Sequence, residues 1–304
     1  MTRRGWVLFC LMSVLWGIPY LMIKVAVEGV STPFLVFART ALGAAILLPL
    51  AVRSGRMGSV RGHWPALIAF AASEIIGPWW LISDAERHLS SSMAGLLIAA
   101  VPIIGIVLAR LLGSAERLGV KRWAGLTLGL CGVAVLAAPH LRGGDAWSLT
   151  EVMLTALGYA IAPLIVARKL ADVPSLTMTA TCLTMAAVLY TPAAIWTWPQ
   201  AWPSGRVLAA IAGLGVVCTA IAFMVFFELI KEVGPSRAMV FTYVNPAVAV
   251  TAGVLVLGEP LTLVIVVSFA LILCGSVLAT ARDGKKGEPV PAPLPVTAAD
   301  QAPG

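Results

Sequence analysis

Hydrophobic residues in this chain neither alternate with polar ones nor recur as a stripe every third or fourth position. They form continuous runs, separated by short segments carrying Gly, Pro, Ser or charge. Ten runs lie near residues 6–26, 33–52, 64–83, 92–112, 123–139, 148–167, 176–197, 207–229, 236–256 and 261–281. Each is close to the ~20 residues an α-helix needs to cross a ~30 Å hydrocarbon core. No water in that core satisfies backbone groups, so a spanning chain is helical or a closed barrel. Barrel strands alternate apolar and polar positions, and these runs do not. The pattern predicts an all-α membrane protein with ten transmembrane helices. Arg3 and Arg4 before the first run imitate a signal peptide. With no small-residue cleavage site and nine further runs, it reads as a retained span. Residues 283–304, ending EPVPAPLPVTAADQAPG, are Pro/Ala-rich with little to bury, and read as a disordered cytoplasmic tail.

Composition agrees. The chain is 60% hydrophobic and 12% charged, whereas a soluble domain is roughly half apolar and a quarter charged. The net charge of +7 raises the question of nucleic acid, and its distribution answers it. With the N-terminus in the cytoplasm, sixteen Lys and Arg fall on the inner side, three on the outer side, and Lys24 and Arg39 within spans. This positive-inside bias places both termini in the cytoplasm and accounts for the charge by topology, with no nucleic-acid partner. Cys10, Cys131, Cys182, Cys218 and Cys274 all fall in spans; their odd number and wide spacing imply no disulfide framework and no metal site.

The prolines disclose a repeat. Sliding the chain by 144 residues brings Pro19 onto Pro163, Lys24 onto Arg168, Ser31 onto Ser175 and Pro102 onto Pro246. Sliding it by 143 brings Glu116 onto Glu259 and Leu130-Cys131-Gly132 onto Leu273-Cys274-Gly275. This divides the chain into residues 1–146 and 147–282, five helices each. Five is odd, so the second half is expected upside down, giving two inverted five-helix repeats with a site between them near the midplane. Pro19, Pro78, Pro102, Pro163 and Pro246 lie inside their spans. Each removes a donor and frees the carbonyl four residues earlier, so they are candidate hinges.

These residues also carry a resemblance. FFELIKEVGPSRAMVFTYVNPAVAVTAGVLVLGEPLT, residues 226–262, resembles the EamA-type repeat of the drug/metabolite transporter superfamily, most specifically in LGEP (257–260) and the Asn-Pro at 245–246. WGIPYLMIK, residues 16–24, with Arg39 in the next span, is similar to it too. In the first half GSAER (113–117) replaces the tidy LGE. The resemblance implies ten helices, a central cavity and export of small metabolites such as amino acids, or of drugs, from a cell membrane. It does not cover Glu74.

Glu74 stands in FAASEIIGPWWLI (70–82). Ten residues into the third run, it lies ~15 Å deep, about mid-membrane, where an acid costs about 2.5–3.5 kcal/mol to insert. Such a residue is a functional candidate by default, here for binding a positive substrate group or a proton. Trp16, Trp79, Tyr159, Tyr243 and Asn245 fall at comparable depth or a turn or two away. Aromatic faces attract cations, so with Glu74 they form the candidate substrate site. Arg39, within ~6 Å of Glu74 in depth, is a candidate gate or charge pair for it. Asn245 also suits a bridge across the helix broken by Pro246. Lys24 reads as snorkelling to the outer interface, Trp80 as an interfacial anchor, and Glu116 and Glu259 as caps or loop anchors. Glu228 faces Lys231, and Gly125 and Gly129 read as a contact within the monomer.

No HExxH, GxSxG or P-loop occurs, and His63, His88 and His140 are scattered, so neither an enzyme nor a cofactor is expected. The expectation is a proton-coupled exporter of amino acids, amines or cationic drugs working by alternating access, as a monomer or homodimer in lipid. An uncoupled carrier and a non-transporting scaffold are the alternatives.

Overall fold

The structure is a computed structural model describing residues 2–111, 119–143, 145–234 and 238–280. The tail after residue 280, Glu116 with the GSAER segment, and the PSR segment at 235–237 lie outside the described residues. Every regular element among the described residues is helical. Eight helical stretches are long and apolar enough to cross a membrane, and Asn245–Leu257 and Leu263–Ala279 are shorter apolar helices. These ten segments fall on the ten hydrophobic runs.

In chain order the helices are α1 (Arg3–Leu15), α2 (Pro19–Val27), α3 (Thr32–Arg53), α4 (Trp64–Ala71), α5 (Gly77–Ala85), α6 (Ser91–Ile98), α7 (Val101–Leu111), α8 (Val120–Gly143), α9 (Ala146–Lys169), α10 (Ser175–Trp196), α11 (Gly205–Ala212), α12 (Ala222–Val233), α13 (Asn245–Leu257) and α14 (Leu263–Thr280). Their starts follow local chemistry. Ser31, Ser90 and Ser204 each accept the backbone N–H three residues on, from Phe34, Met93 and Val207, meeting one of the donors that a helix start leaves unpaired. Gly258, at φ 68°, closes α13 in the left-handed region that glycine enters without penalty.

The most extensive packing joins α8 to α14 and α3 to α10. Adding 143 to the bounds of α3, 32 and 53, gives 175 and 196, the bounds of α10. The same shift carries the start of α8, 120, to 263, the start of α14. Each large interface therefore joins repeat mates. Smaller residues set the α8–α14 approach. A Cβ on Gly275 would collide with the backbone of Gly129, and one on Gly125 with the backbone at Ala279. In lipid, helices associate through close packing rather than hydrophobic exclusion, so small residues that let backbones touch are what hold them. The Gly125/Gly129 pair is thus a contact within the chain, as its sequence suggests.

Four of the five candidate prolines mark interruptions. Pro19 opens α2 after a break at Trp16–Ile18, Pro102 follows the gap at Ala99–Ala100, and Pro246 follows Val244. Pro78 is the second residue of α5, after a wide π-helical turn, Ala72–Ile76. Pro163 does not break its helix: α9 runs unbroken from Ala146 to Lys169. It packs along α4 and α5, with Gly158 against the Ser73 carbonyl, so tertiary contacts on both sides of the proline carry the helix through it.

Gly275→Val is expected to destabilise the protein by about 1–3 kcal/mol or more through overpacking, because its neighbours at Gly129 are main chain. Gly105→Ala, inside α7 and with nothing within 4 Å of its Cβ, is expected to keep or raise stability, by up to about 1 kcal/mol. Thermal unfolding of the two variants in one detergent checks the contrast.

Candidate functional site

Glu74 sits inside the wide turn Ala72–Ile76 that joins α4 to α5, where the Gly77 N–H reaches back five residues to the Ala72 carbonyl. Single π-helical turns concentrate at functional sites because they re-aim side chains and loosen the hydrogen-bond ladder. A second wide turn, Gly213–Ile221, joins α11 to α12. Adding 144 to 72 and 76 gives 216 and 220, inside it. Both halves thus carry this irregularity at the same place.

Arg39, on α3, is 8% exposed. Its Nε donates to Thr219 Oγ1 at 3.1 Å, and Thr219 in turn donates to the Leu214 carbonyl within the second wide turn. Its guanidinium carbon lies 3.6 Å from the centroid of the Trp79 ring, a cation–π contact. Arg39 therefore ties α3 to both wide-turn helices.

The expected Arg39–Glu74 ion pair does not form. Arg39 faces Trp79 and Thr219, and Glu74, half-buried, makes no hydrogen bond or ion pair with any described residue. Agreement in depth did not place the two side chains on facing sides of their helices. Tyr159 of α9 lies near Glu74, Arg39 and Trp79. Tyr20 of α2 and Cys218 of the second wide turn also lie within reach of Arg39. The Arg39 guanidinium and the Glu74 carboxyl therefore lie near Trp79, Tyr159 and Tyr20 without an ion pair between them.

The other candidates separate from this group. Trp16 closes an aromatic cluster with Phe223, Phe226 and Phe241, at ring distances of 5.5, 5.1 and 5.4 Å. Asn245, with its amide oriented toward acceptors, donates to the carbonyls of Phe241 at 3.2 Å and Ser13 at 3.1 Å. That bridges the broken helix and ties it to α1, which occupies the amide that a ligand would use. Tyr243 ends the 3-10 turn Met239–Tyr243 and is half-buried. Trp80 stacks on Tyr190, at 5.7 Å and 16°, whose hydroxyl donates to the Ile76 carbonyl.

A cleft of about 440 Å3 runs between α4 and α9, lined by His63, Ala66, Ala69, Ile165 and Lys169 among others. Ala69, at its inner limit along α4, is five residues before Glu74, ~7.5 Å by helix rise. Across the bundle, the other end is tied shut. The Glu259 carboxylate accepts from the backbone N–H groups of Ser91 and Ser92, at 2.7 and 3.0 Å, and from both hydroxyls. Lys24 does not snorkel; its Nζ donates to the carbonyls of Glu86 at 2.6 Å and Leu89 at 2.8 Å. Near the cleft end, Glu228 pairs with Lys231 as expected and also with Arg4, both at 2.8 Å. These are exposed pairs that contribute little stability.

Sequence reasoning missed Thr219, Tyr20 and Glu86. Only the repeat offset pointed at Thr219, since it places the neighbourhood of Glu74 onto residues 216–220.

The two halves match one family separately. The profile of the EamA-like transporter family aligns with residues 3–138 and again with residues 146–281. The chain belongs to the EamA-like transporter family. It is 26% identical over 288 residues to the uncharacterized inner membrane transporter YedA of Escherichia coli K12, covering 92% of each chain. It is 25% identical over 290 residues to the uncharacterized transporter YvbV of Bacillus subtilis 168, again covering 92% of each. A solved crystal structure shares the fold at TM-score 0.66 with 20% identity, covering 92% of this chain and 98% of that one. With its apolar helices, this makes the protein an EamA-like, multi-pass membrane transporter.

Thr219→Val keeps the side-chain shape and strands the buried Arg39 Nε–H. The loss of a hydrogen bond to a charged group is expected to lower stability by about 1.5–3 kcal/mol. Thr219→Ser should restore most of it. Thermal unfolding of both variants distinguishes the bond from simple packing.

Proposed function

We propose that this EamA-like protein is a secondary exporter of small organic metabolites, working by alternating access and exchanging substrate for protons. The observation that carries the reading is that two ionisable groups inside the spans, Arg39 and Glu74, are not paired with each other. Burying a charge without a counter-ion is costly, and intramembrane ionisable residues mark substrate or proton paths. Here Arg39 is held by an aromatic ring and a hydroxyl, and Glu74 is left without a partner. A zwitterionic or cationic solute presents an ammonium to Glu74, while Trp79 and Tyr159 cover its organic body. A zwitterion also presents a carboxylate to Arg39. When no substrate is bound, a proton on Glu74 neutralises it; substrate and proton then compete for one carboxyl, which makes the exchange obligatory.

The wider arrangement is read as two inverted five-helix repeats with both termini cytoplasmic. Three features support it: five hydrophobic segments per family match, the bias of Lys and Arg to one side, and the pairing of repeat mates α3 with α10 and α8 with α14. In this reading the α4–α9 cleft opens to the cytoplasm and the Glu259 clasp closes the outer end, so the structure corresponds to an inward-accessible state. The helix interruptions at Trp16–Ile18, Ala99–Ala100 and Val244 are the flexible points.

Proteoliposomes loaded with labelled amino acids or organic amines test it. Glu74→Gln is expected to cut exchange of the transported amine at least tenfold, since one charge-assisted hydrogen bond corresponds to about 1.5–3 kcal/mol, and to abolish the accompanying proton movement. A mutant that exchanges the same substrate with an unchanged proton signal would show Glu74 to be structural.

A further inference from the structure

Glu86 closes α5 at the end where the Glu259 clasp lies. Its side chain is 0% exposed, and neither carboxyl oxygen has a hydrogen-bond partner. An ionised carboxylate in such a place would be one of the most unfavourable groups in the molecule. The cation beside it confirms the difficulty in geometry. Lys24 on α2 comes within 2.6 Å of the main-chain carbonyl of Glu86 and bonds the Leu89 carbonyl as well, yet makes no ion pair with the carboxylate. An ammonium that close to an ionised partner would take it. The arrangement fits a neutral, protonated Glu86.

The charged and titratable groups around Glu86 come from three directions. Lys24 and Tyr20 stand on α2, Arg39 on α3, and Glu259 in the loop after α13. Burial holds the Glu86 carboxyl well above the usual carboxylate range, Lys24 and Arg39 draw it back, and the Glu259 carboxylate pushes it further up. Glu259 belongs to the second half and grips Ser91 and Ser92 of the first. If the halves part at this end, the clasp must break, Glu259 leaves, and water reaches Glu86.

Building on the alternating-access reading above, we infer that Glu86 is a second proton-binding site, separate from Glu74, which takes up a proton when the Glu259 clasp closes and releases it when that end opens. The chemistry is a protonation only: the carboxyl O–H bond breaks on opening and the proton passes to water. The sign follows from linkage. Because the closed state holds the proton more tightly, closure is fully favoured below the carboxyl's open-state pKa and is lost as pH rises through its closed-state value. Acid keeps this end shut and base opens it.

Spin labels at His88→Cys and Leu261→Cys, both at exposed positions flanking the clasp, report the opening in lipid nanodiscs. The exposed native cysteines Cys10, Cys131 and Cys274 are replaced first. Between pH 5 and 9 the ratio of long to short distances is expected to rise by about tenfold per pH unit across the titrating range, as one linked proton requires. Glu86→Gln, a neutral isostere, should hold the short distance across that range. Glu259→Gln, which weakens the clasp and removes a carboxylate facing Glu86, should shift the midpoint to lower pH and keeps the test informative if Glu86→Gln fails to fold. A Glu86→Gln protein with the unaltered midpoint and slope overturns the inference. So does a distance that answers to added substrate but not to pH, which leaves alternating access intact. A distance that answers to neither overturns both.

Discussion

Every irregularity in this molecule has to satisfy one constraint: in lipid, a backbone group released from its helix must find a partner in the protein. The interruptions near mid-membrane release such groups, and side chains from neighbouring helices meet them. Tyr190 donates to the Ile76 carbonyl, Thr155 to that of Pro78 and Ser276 to that of Ala99. Asn245 serves Phe241 and Ser13 together. Other hydroxyls in the spans, among them Ser13, Thr40, Ser83 and Thr184, bond the carbonyl four residues earlier in their own helices. What is left without such a task is a short list, and it includes Glu74.

The same constraint explains why Arg39 matters without a carboxylate. A guanidinium is weakly hydrated, planar and able to stack, so Trp79 and Thr219 can hold it at a smaller penalty than an ammonium would incur. A static Arg39–Glu74 pair would satisfy both residues and leave nothing for a solute to do. Holding the cation by a ring and a hydroxyl keeps it in place without a carboxylate partner, as the proposed solute site requires. The close approach of α3 to the second wide turn is part of this, since a Cβ on Gly215 would meet Leu42 and the Arg39 carbonyl.

Helix existence was legible because continuous apolar runs have one reading in a bilayer. The repeat was legible in Pro102 and Pro246 because backbone breaks require particular residues. The wide turns were not. One precedes Pro78, but the other, Gly213–Ile221, contains no proline and lies in an apolar run, so only tertiary packing reveals it. Depth along a helix could be counted, whereas the direction around it could not; that is why Arg39 was expected on Glu74 and was found on Trp79. Lys24 was misread for the related reason that an amine near a helix end has two ways to satisfy itself. Lipid headgroups are one, and the exposed carbonyls of a neighbouring helix end, here Glu86 and Leu89, are the other. Glu86 itself reads as a loop residue, since nothing in sequence tells a loop on the surface from one folded beneath a clasp.

The repeat supplies the scaffold twice but the charges once. Under the shift that carries α3 onto α10, Arg39 falls on Cys182; under the shift of 144 that aligns the prolines, Glu74 falls on Cys218. Both cysteines are buried, small and neutral at ordinary pH. Two similar halves can provide two packings of nearly equal energy, which is what a molecule that rocks between them needs. A perfectly symmetric site would do no more than that. On the proposed exchange, concentrating Arg39 and Glu74 in the first half would make the solute and the proton act on one set of helices, α3 to α5, while the second half would answer through Thr219 and Glu259. On that proposal, the asymmetry in charge, set on a repeated frame, is what would let binding bias one packing over the other.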